Sequence, residues 1–331
     1  MIMDMKKVLY ILLASAAVAS CYDKYIIDYD VQAVGFANQT DVRSVVVGES
    51  MSFSTGVALG GVIANEENRK VDFQVDYSLV GKETLDAMKV HTFSYIQNLY
   101  SGLDAILPLP AGMYTLTTKG GVSGQAVIPK GEHLGKIEIG IKDEFLADDA
   151  NLLPRYVIPL RITDGHGLSL MEGKTTTVIG VRFENMLFGN WWHGGVAVAL
   201  DESGAETDRV TYALEIPQAD TRVWTLTTVS PHSVVTNAVA GELNGSTSQM
   251  KLTLEEDGQI TIESLPGATY TVSPDGESRY NKAKLLQNRE LYLSYKYTSG
   301  DKEWHVKDTL RFRNRLRDGV NEWQDENQEN Y

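Results

Sequence analysis

Cysteine is almost absent: Cys21 is the single cysteine among 331 residues. One thiol cannot form an intrachain disulfide or a zinc–thiolate cluster, and a thiol spent on lipid (below) is no catalytic nucleophile. Basic charge is also scarce. Thirty Lys and Arg face 44 Asp and Glu, a net of −14, and no basic patch offsets phosphate repulsion. The chain is therefore a poor partner for nucleic acid and for electrostatic attachment to anionic lipid. After the N-terminus no run of 18 apolar residues occurs, so no membrane span is expected. No internal repeat is visible. The usual catalytic signatures are missing: no Gly-x-Ser-x-Gly, no Gly-x-x-x-x-Gly-Lys and no His-Glu-x-x-His. His91, His133, His166, His193, His232 and His305 are scattered without ligand spacing, and neither a metal nor a cofactor is expected.

The N-terminus carries a clear pattern. Met5-Lys6-Lys7 is basic, Val8 to Ala17 is apolar, and Val18-Ala19-Ser20-Cys21 closes the segment with small residues and a thiol. A basic start, a short apolar run and small residues before the cut form a secretory signal peptide, here residues 1–20. The aliphatic-small-small-Cys order is a lipobox, whose chemistry needs sulfur at that position because a diacylglycerol is attached to it before cleavage. Several acyl chains anchor stably, at about 0.8 kcal/mol per buried CH₂. Losing the leader, with Lys6, Lys7 and Asp4, takes the net charge from −14 to −15. Residues 21–30 read as a lipid-anchored tether. Asp23, Asp28 and Asp30 are too dispersed for a strong surface-export signal.

Beyond the tether the pattern is β. Val71, Phe73, Val75 and Tyr77 alternate with Asp72, Gln74, Asp76 and Ser78, and Ile137, Ile139 and Ile141 do the same. Period-two alternation gives each strand one buried face and one wet face. Lys82 to Leu99 has helical composition without Gly or Pro and is expected to form a short helical insertion against the sheets. Pro159 falls within a strand-like run, which predicts an edge strand or a bulge. Residues 31–183 thus read as an antiparallel sandwich. A second β pattern follows over 184–331, with hairpin signals at Asp257-Gly258 and Ser299-Gly300-Asp301. Consecutive strands with tight turns predict a meander, closed into a barrel or left as a curved sheet. The fold class expected is all-β.

Three stretches carry a resemblance: Leu107-Pro108-Leu109-Pro110-Ala111-Gly112-Met113-Tyr114-Thr115-Leu116, Ala126-Val127-Ile128-Pro129-Lys130-Gly131 and Tyr156-Val157-Ile158-Pro159-Leu160-Arg161-Ile162. They resemble the N-terminal immunoglobulin-like domain of Bacteroidota surface lipoproteins, a domain that also precedes some family-18 endoglycosidases. The stretch from Asp308 to Trp323 is similar to the end of an uncharacterised β domain often paired with it. The resemblance implies a product of a glycan-utilisation locus at the outer-membrane surface, with a glycan as ligand and an outer-membrane transporter and its lipoprotein lid as possible neighbours. The Asp-x-x-Asp-x-Asp-x-Glu run of family-18 endoglycosidases is absent, as is an alternating βα pattern. Carboxylates from distant strands can still meet in space, as glycosidases require; the expectation is nevertheless a non-catalytic protein.

Sugar recognition uses aromatic faces and planar polar groups. Trp191, Trp192, Trp304 and Trp323 are the aromatic candidates; Trp191 and Trp192, adjacent on a strand, must point to opposite faces. Arg311, Arg313, Arg315 and Arg317 share one face if the strand continues, so Arg313 and Arg315 are candidates for an anionic glycan, with internal salt bridging as the alternative. Asp148, Asp149 and Asn151 lack the regular spacing of a calcium loop and read as a solvated turn. A glycan-binding lipoprotein and a protein-binding accessory subunit of a transporter complex both fit these features.

Overall fold

The computed structural model describes residues 29–121, 123–213, 222–243 and 249–325. The signal peptide, Cys21 and most of the tether lie outside the described residues. Among the described residues the fold is all-β apart from two short helices and a few 3-10 turns. No helix among the described residues is long and apolar enough to cross a membrane.

Residues 33 to 185 build two sheets. One has the order Ser169–Leu170, Ala33–Phe36, Ser52–Gly60, Leu134–Ile141, Tyr114–Thr118. The other runs Thr40–Val47, Thr176–Asn185, Tyr156–Asp164, Arg69–Val75, Gln125–Ile128, with Leu107–Pro108 beside Tyr156. Their inner faces share one aliphatic core. Val57, Ile137 and Ile139 from the first sheet meet Val71, Ile158, Leu160 and Val181 from the second, all fully buried or nearly so. The alternation read in Ile137–Ile141 thus marks a sheet buried on one side only. The second sheet is covered on its other face as well. Helices Lys82–Lys89 and Ser94–Tyr100 bring Leu85, Met88, Ile96 and Tyr100 onto Val42, Val157 and Val178.

Of the two readings of Pro159, the edge is corrected and the bulge holds. Its strand is internal, and it carries a bulge four residues on, where Asp72 pairs with Asp164 but Phe73 with Ile162, leaving Thr163 as the extra residue. Pro159 faces Val178, and its carbonyl accepts from Asp76 N at 3.1 Å. Its nitrogen falls where the neighbour changes from Leu107–Pro108 to Arg69–Val75, so the missing donor costs no ladder bond.

From Gly189 onward a third sheet forms, with the order Ile260–Ser264, Met250–Leu254, Ser233–Thr236, Arg222–Ser230, Gly189–Leu200, Lys302–Arg317, Glu290–Ser299, Val272–Pro274. Glu206–Tyr212 pairs with the far half of Gly189–Leu200. The expected simple meander is corrected: the first strand is central, gripped between Arg222–Ser230 and Lys302–Arg317. The two ends of the sheet meet where Ile260 N donates to Ser278 O (2.8 Å) and Tyr280 N to Gly258 O (2.9 Å), giving a nearly closed barrel. Trp191, Trp224, Leu226, Leu293 and Leu310 fill its interior.

Two hairpins are set by backbone chirality. Gly258, at φ +93°, turns Met250–Leu254 into Ile260–Ser264. Asp318 and Gly319, at φ +51° and +80°, form a two-residue loop between Lys302–Arg317 and Val320–Glu322. Positive φ at both central residues is what a type I′ hairpin turn demands, and Asp-Gly supplies it.

Candidate functional site

The arginine row is broken by a β-bulge. Asn190 pairs with Asn314 but Trp191 pairs with Phe312, so Arg313 is the extra residue on its strand. A bulge shifts the alternation by one residue. Arg311 and Arg313 point outward, while Arg315 turns inward and is buried. The expectation of four arginines on one face is corrected accordingly.

Arg315 lands at the seam between the two-sheet region and the barrel. Its Nη1 and Nη2 donate to Glu49 Oε1 and Oε2 at 2.7 and 2.8 Å, a bidentate fork, and its Nε donates to Glu322 Oε2 at 2.5 Å. Arg289, also buried, reaches Glu49 Oε1 with Nη1 at 2.6 Å and Met186 O at 3.0 Å. Arg317 donates from Nε to both Glu322 oxygens at 3.1 Å and from Nη1 to Ser44 O at 3.0 Å. Asp318 completes the seam by accepting from Ser44 N and Oγ at 2.8 and 2.7 Å. Nearby, Asn185 Nδ2 donates to Pro231 O at 2.8 Å and Thr228 Oγ1 donates to buried Glu184.

Burial pushes the Glu49 carboxyl up, but the hydrogen bonds and charge of Arg315, with the Arg289 charge, outweigh it and hold Glu49 below the usual carboxylate range. Glu322 shows the same balance: burial raises it, and Arg317 with Arg315 brings it down further. Desolvation of Arg315 is likewise outweighed, and its pKa is raised by Glu49 and Glu322. Arg315 is thus a buried structural cation with each of its three guanidinium nitrogens bonded to a carboxylate. The expectation that it contacts a ligand is corrected.

Beside this cluster opens a cleft of about 710 Å³. Trp323, Gln324 and Asn321 line it together with Ser50, Arg317 and Val320. The Asp318-Gly319 turn returns the chain so that Glu322 pairs with Arg315, and Asp325 Oδ2 accepts from Leu286 N at 2.6 Å. Trp323 sits between those two fixed points with its side chain 57% exposed. An exposed indole beside amides and a guanidinium offers a flat apolar face and several directional hydrogen bonds, the combination a hydroxyl-rich ring requires.

The other candidates lie elsewhere. Trp191 is fully buried in the barrel core, edge-on to Phe312, with Nε1 donating to Leu187 O at 2.9 Å. It touches no solvent, and its reading as a ligand contact is corrected. Trp192, on the opposite face, is half-buried, and the Arg313 guanidinium lies 4.7 Å above its ring. Trp304 is half-buried at one end of the barrel. The structure therefore brings Trp323 and Arg315 to one cleft and pairs Trp192 with Arg313, but it does not unite the set. Asp148 accepts from Ala150 N and pairs with Arg155, and Asn151 Nδ2 donates to Phe145 O, so this turn satisfies itself.

Sequence reasoning missed Arg317, Asn321 and Glu49 as parts of the site. Asn321 was within reach, because Asp318-Gly319 is a strong hairpin signal and everything after it must fold back along the arginine strand. Glu49, 266 residues from Arg315, left no signal in the sequence.

A family model described as a "-like, N-terminal domain" matches residues 22–168. Among solved structures, a protein of unknown function from Bacteroides ovatus is similar over 90% of this chain and 99% of its own, at 22% identity and a TM-score of 0.61. A multidomain protein including DUF1735, also from Bacteroides ovatus, aligns over 88% of this chain and 99% of its own at 14% identity, with a TM-score of 0.42. An auxiliary nutrient binding protein from Bacteroides thetaiotaomicron aligns over 82% and 90% at 16% identity, with a TM-score of 0.34. The first of these speaks for the fold; the two looser ones carry no weight. No curated protein matches the chain.

Proposed function

We propose that this protein is a non-catalytic, glycan-binding lipoprotein of a polysaccharide-utilisation system, anchored in the outer membrane through Cys21 and facing the cell surface. The observation that carries the reading is Trp323, an exposed tryptophan at a polar cleft beside the seam that hydrogen-bonds the two β regions. Its ring stacks on the apolar face of a sugar while Asn321 and Gln324 meet the hydroxyls. Binding rather than hydrolysis is favoured by the two glutamates of the cleft. Glu49 and Glu322 do converge, but both are tied to arginines and held below the usual range. Glycoside cleavage needs one carboxylic acid that keeps its proton near neutrality.

Affinity electrophoresis of the soluble 22–331 fragment through gels loaded with host or plant polysaccharides tests the reading. Retention by at least one glycan, lost in Trp323→Ala, is expected. Free migration in every gel overturns it. Stable co-purification with an outer-membrane transporter, unaffected by glycan, would instead establish the accessory-subunit role. The anchor is tested separately: Cys21→Ser should move the protein from the membrane to the soluble fraction.

A further inference from the structure

We infer that the open end of the barrel is a second binding site, built for a single pyranose ring that carries a carboxylate. It is independent of the cleft at Trp323.

The inward-facing residues of the central strand are Trp191, His193, Gly195, Ala197 and Ala199. Their side chains shrink toward one end, so the barrel is filled at one end and hollow at the other. The hollow is about 220 Å³ and is lined by Tyr212, Tyr270, Tyr297, Trp304, Ser299 and Arg222. Drug-sized pockets begin at about 300 Å³, so this one admits a single ring. Tyr297 and Trp304 face each other across neighbouring strands, and Tyr270 meets Tyr297 edge-on at 5.1 Å. Four aromatic walls favour a flat-faced ligand with exposed C–H groups.

The charge of the ligand follows from Arg222. It pairs in register with His193 and shares the inward phase of Trp224 and Leu226, which places its guanidinium at the rim. Every other arginine faces a carboxylate or lies over an aromatic ring. Among the described residues Arg222 has neither, in a chain of net charge −14. A cation left free beside an aromatic pocket in so acidic a protein is matched by an anionic ring, and a guanidinium accepts a carboxylate bidentately.

Beneath the hollow the barrel is closed by a polar layer. Tyr212 packs against the ring of His193 at 5.3 Å. His193 Nε2 lies 3.0 Å from Asp308 Oδ1, off the line a hydrogen bond needs, and Asp308 Oδ2 accepts from Tyr295 Oη at 2.7 Å. His193 Nδ1 and Trp224 Nε1 are buried without a hydrogen-bond partner among the described residues. Unsatisfied donors and acceptors at this depth, one ring below the pocket floor, are polar groups that a ligand hydroxyl or its accompanying water can reach once Tyr212 yields.

Saturation-transfer NMR and calorimetry on the purified full chain, with glucuronate and galacturonate against glucose and galactose, test the site. A uronate should bind about tenfold more tightly than its neutral parent, a difference that vanishes in Arg222→Gln as the charge-assisted pair is lost. Tyr270→Ala should weaken both acid and neutral sugars at this site, and Trp323→Ala should leave the preference for the acid over its neutral parent intact. Arg222 is exposed, so its variant folds, and an unchanged melting temperature checks this. Equal affinity for acid and neutral sugars, no binding of either uronate, or loss of the acid preference in Trp323→Ala overturns the proposal. The last outcome would assign acid-sugar recognition to the cleft and leave the reading of Trp323 standing.

Discussion

The two-sheet region and the barrel bury different chemistry. Between its sheets the former packs aliphatic side chains: Val, Ile and Leu dominate, and its covering helices add Met88 and Tyr100. The barrel buries two tryptophans stacked with or beside polar groups, including His193 at 4.4 Å from Trp224, and it holds Asp308 and Tyr295 with no exposure of their side chains. An aliphatic core gives a stiff platform with nothing to recognise. The barrel core is also largely aliphatic, but the Trp224, His193, Asp308 and Tyr295 side chains buried within it are a poorer way to store stability and a better way to present directional contacts. The division fits a support and a reader, joined at a seam where every buried guanidinium has a carboxylate.

The strongest way to break this division is at the seam. Glu49→Gln leaves the forks of Arg289 and Arg315 half-empty and should cost about 3–5 kcal/mol, the usual consequence of removing one partner from a buried pair. Urea denaturation followed by circular dichroism reads this directly. Next in size, Ile158→Ala in the aliphatic core should cost about 2–5 kcal/mol. All five tryptophans lie at or beyond Trp191, four in the barrel and Trp323 in the seam cleft, so tryptophan fluorescence reports the barrel and the seam but not the two-sheet core. If the seam makes the molecule one cooperative unit, the fluorescence transition shifts together with the dichroism transition. If only the dichroism shifts, the two regions unfold separately.

Acid sharpens the same contrast. Glu49 and Glu322 have folded pKa values below the ordinary 4.5, so the unfolded chain takes up protons first. Their contribution is complete above pH 4.5 and is lost as pH falls through the depressed folded values. Stability measured down that range should drop in the native chain and drop less in Glu49→Gln. The smallest effect on stability belongs to the cleft: Trp323→Ala should change it by less than about 0.5 kcal/mol, as for other surface positions. The same change should weaken glycan binding by about 2 kcal/mol, as expected of an anchoring aromatic.

The sequence made the class and most strands legible because alternation is local: Val71–Val75 and Ile137–Ile141 state their faces within five residues, whereas Tyr77, read as continuing the first, lies past the strand end in a 3-10 turn and is exposed. The helical insertion was equally local, and the structure resolves it into two helices broken between Lys89 and Ser94. What could not be read depended on partners far away. The bulge at Arg313 exists because Asn190 and Trp191 sit opposite it, and it alone decides which arginines face solvent. Pro159 looked like an edge signal because the gap that tolerates it is made by Leu107–Pro108 and Arg69–Val75, some fifty and ninety residues earlier. Trp323 was within reach as one of four aromatic candidates, yet the cleft beside it was not legible, since Glu49 and Ser50 come from the other region.

The parallel pairing of Thr40–Val47 with Thr176–Asn185 bears on the order of events during synthesis. The early strand is at the edge of its sheet and has no other strand partner among the described residues, so its ladder stays unfilled until residue 185 has left the ribosome. Ser44, in that same strand, then waits for Asp318. Non-local pairings of this kind slow folding. A nascent chain stalled before the arginine strand would carry a completed platform whose seam, with Glu49 and Ser44 still unpaired, faces water as a charged and hydrogen-bonding edge rather than a sticky apolar one.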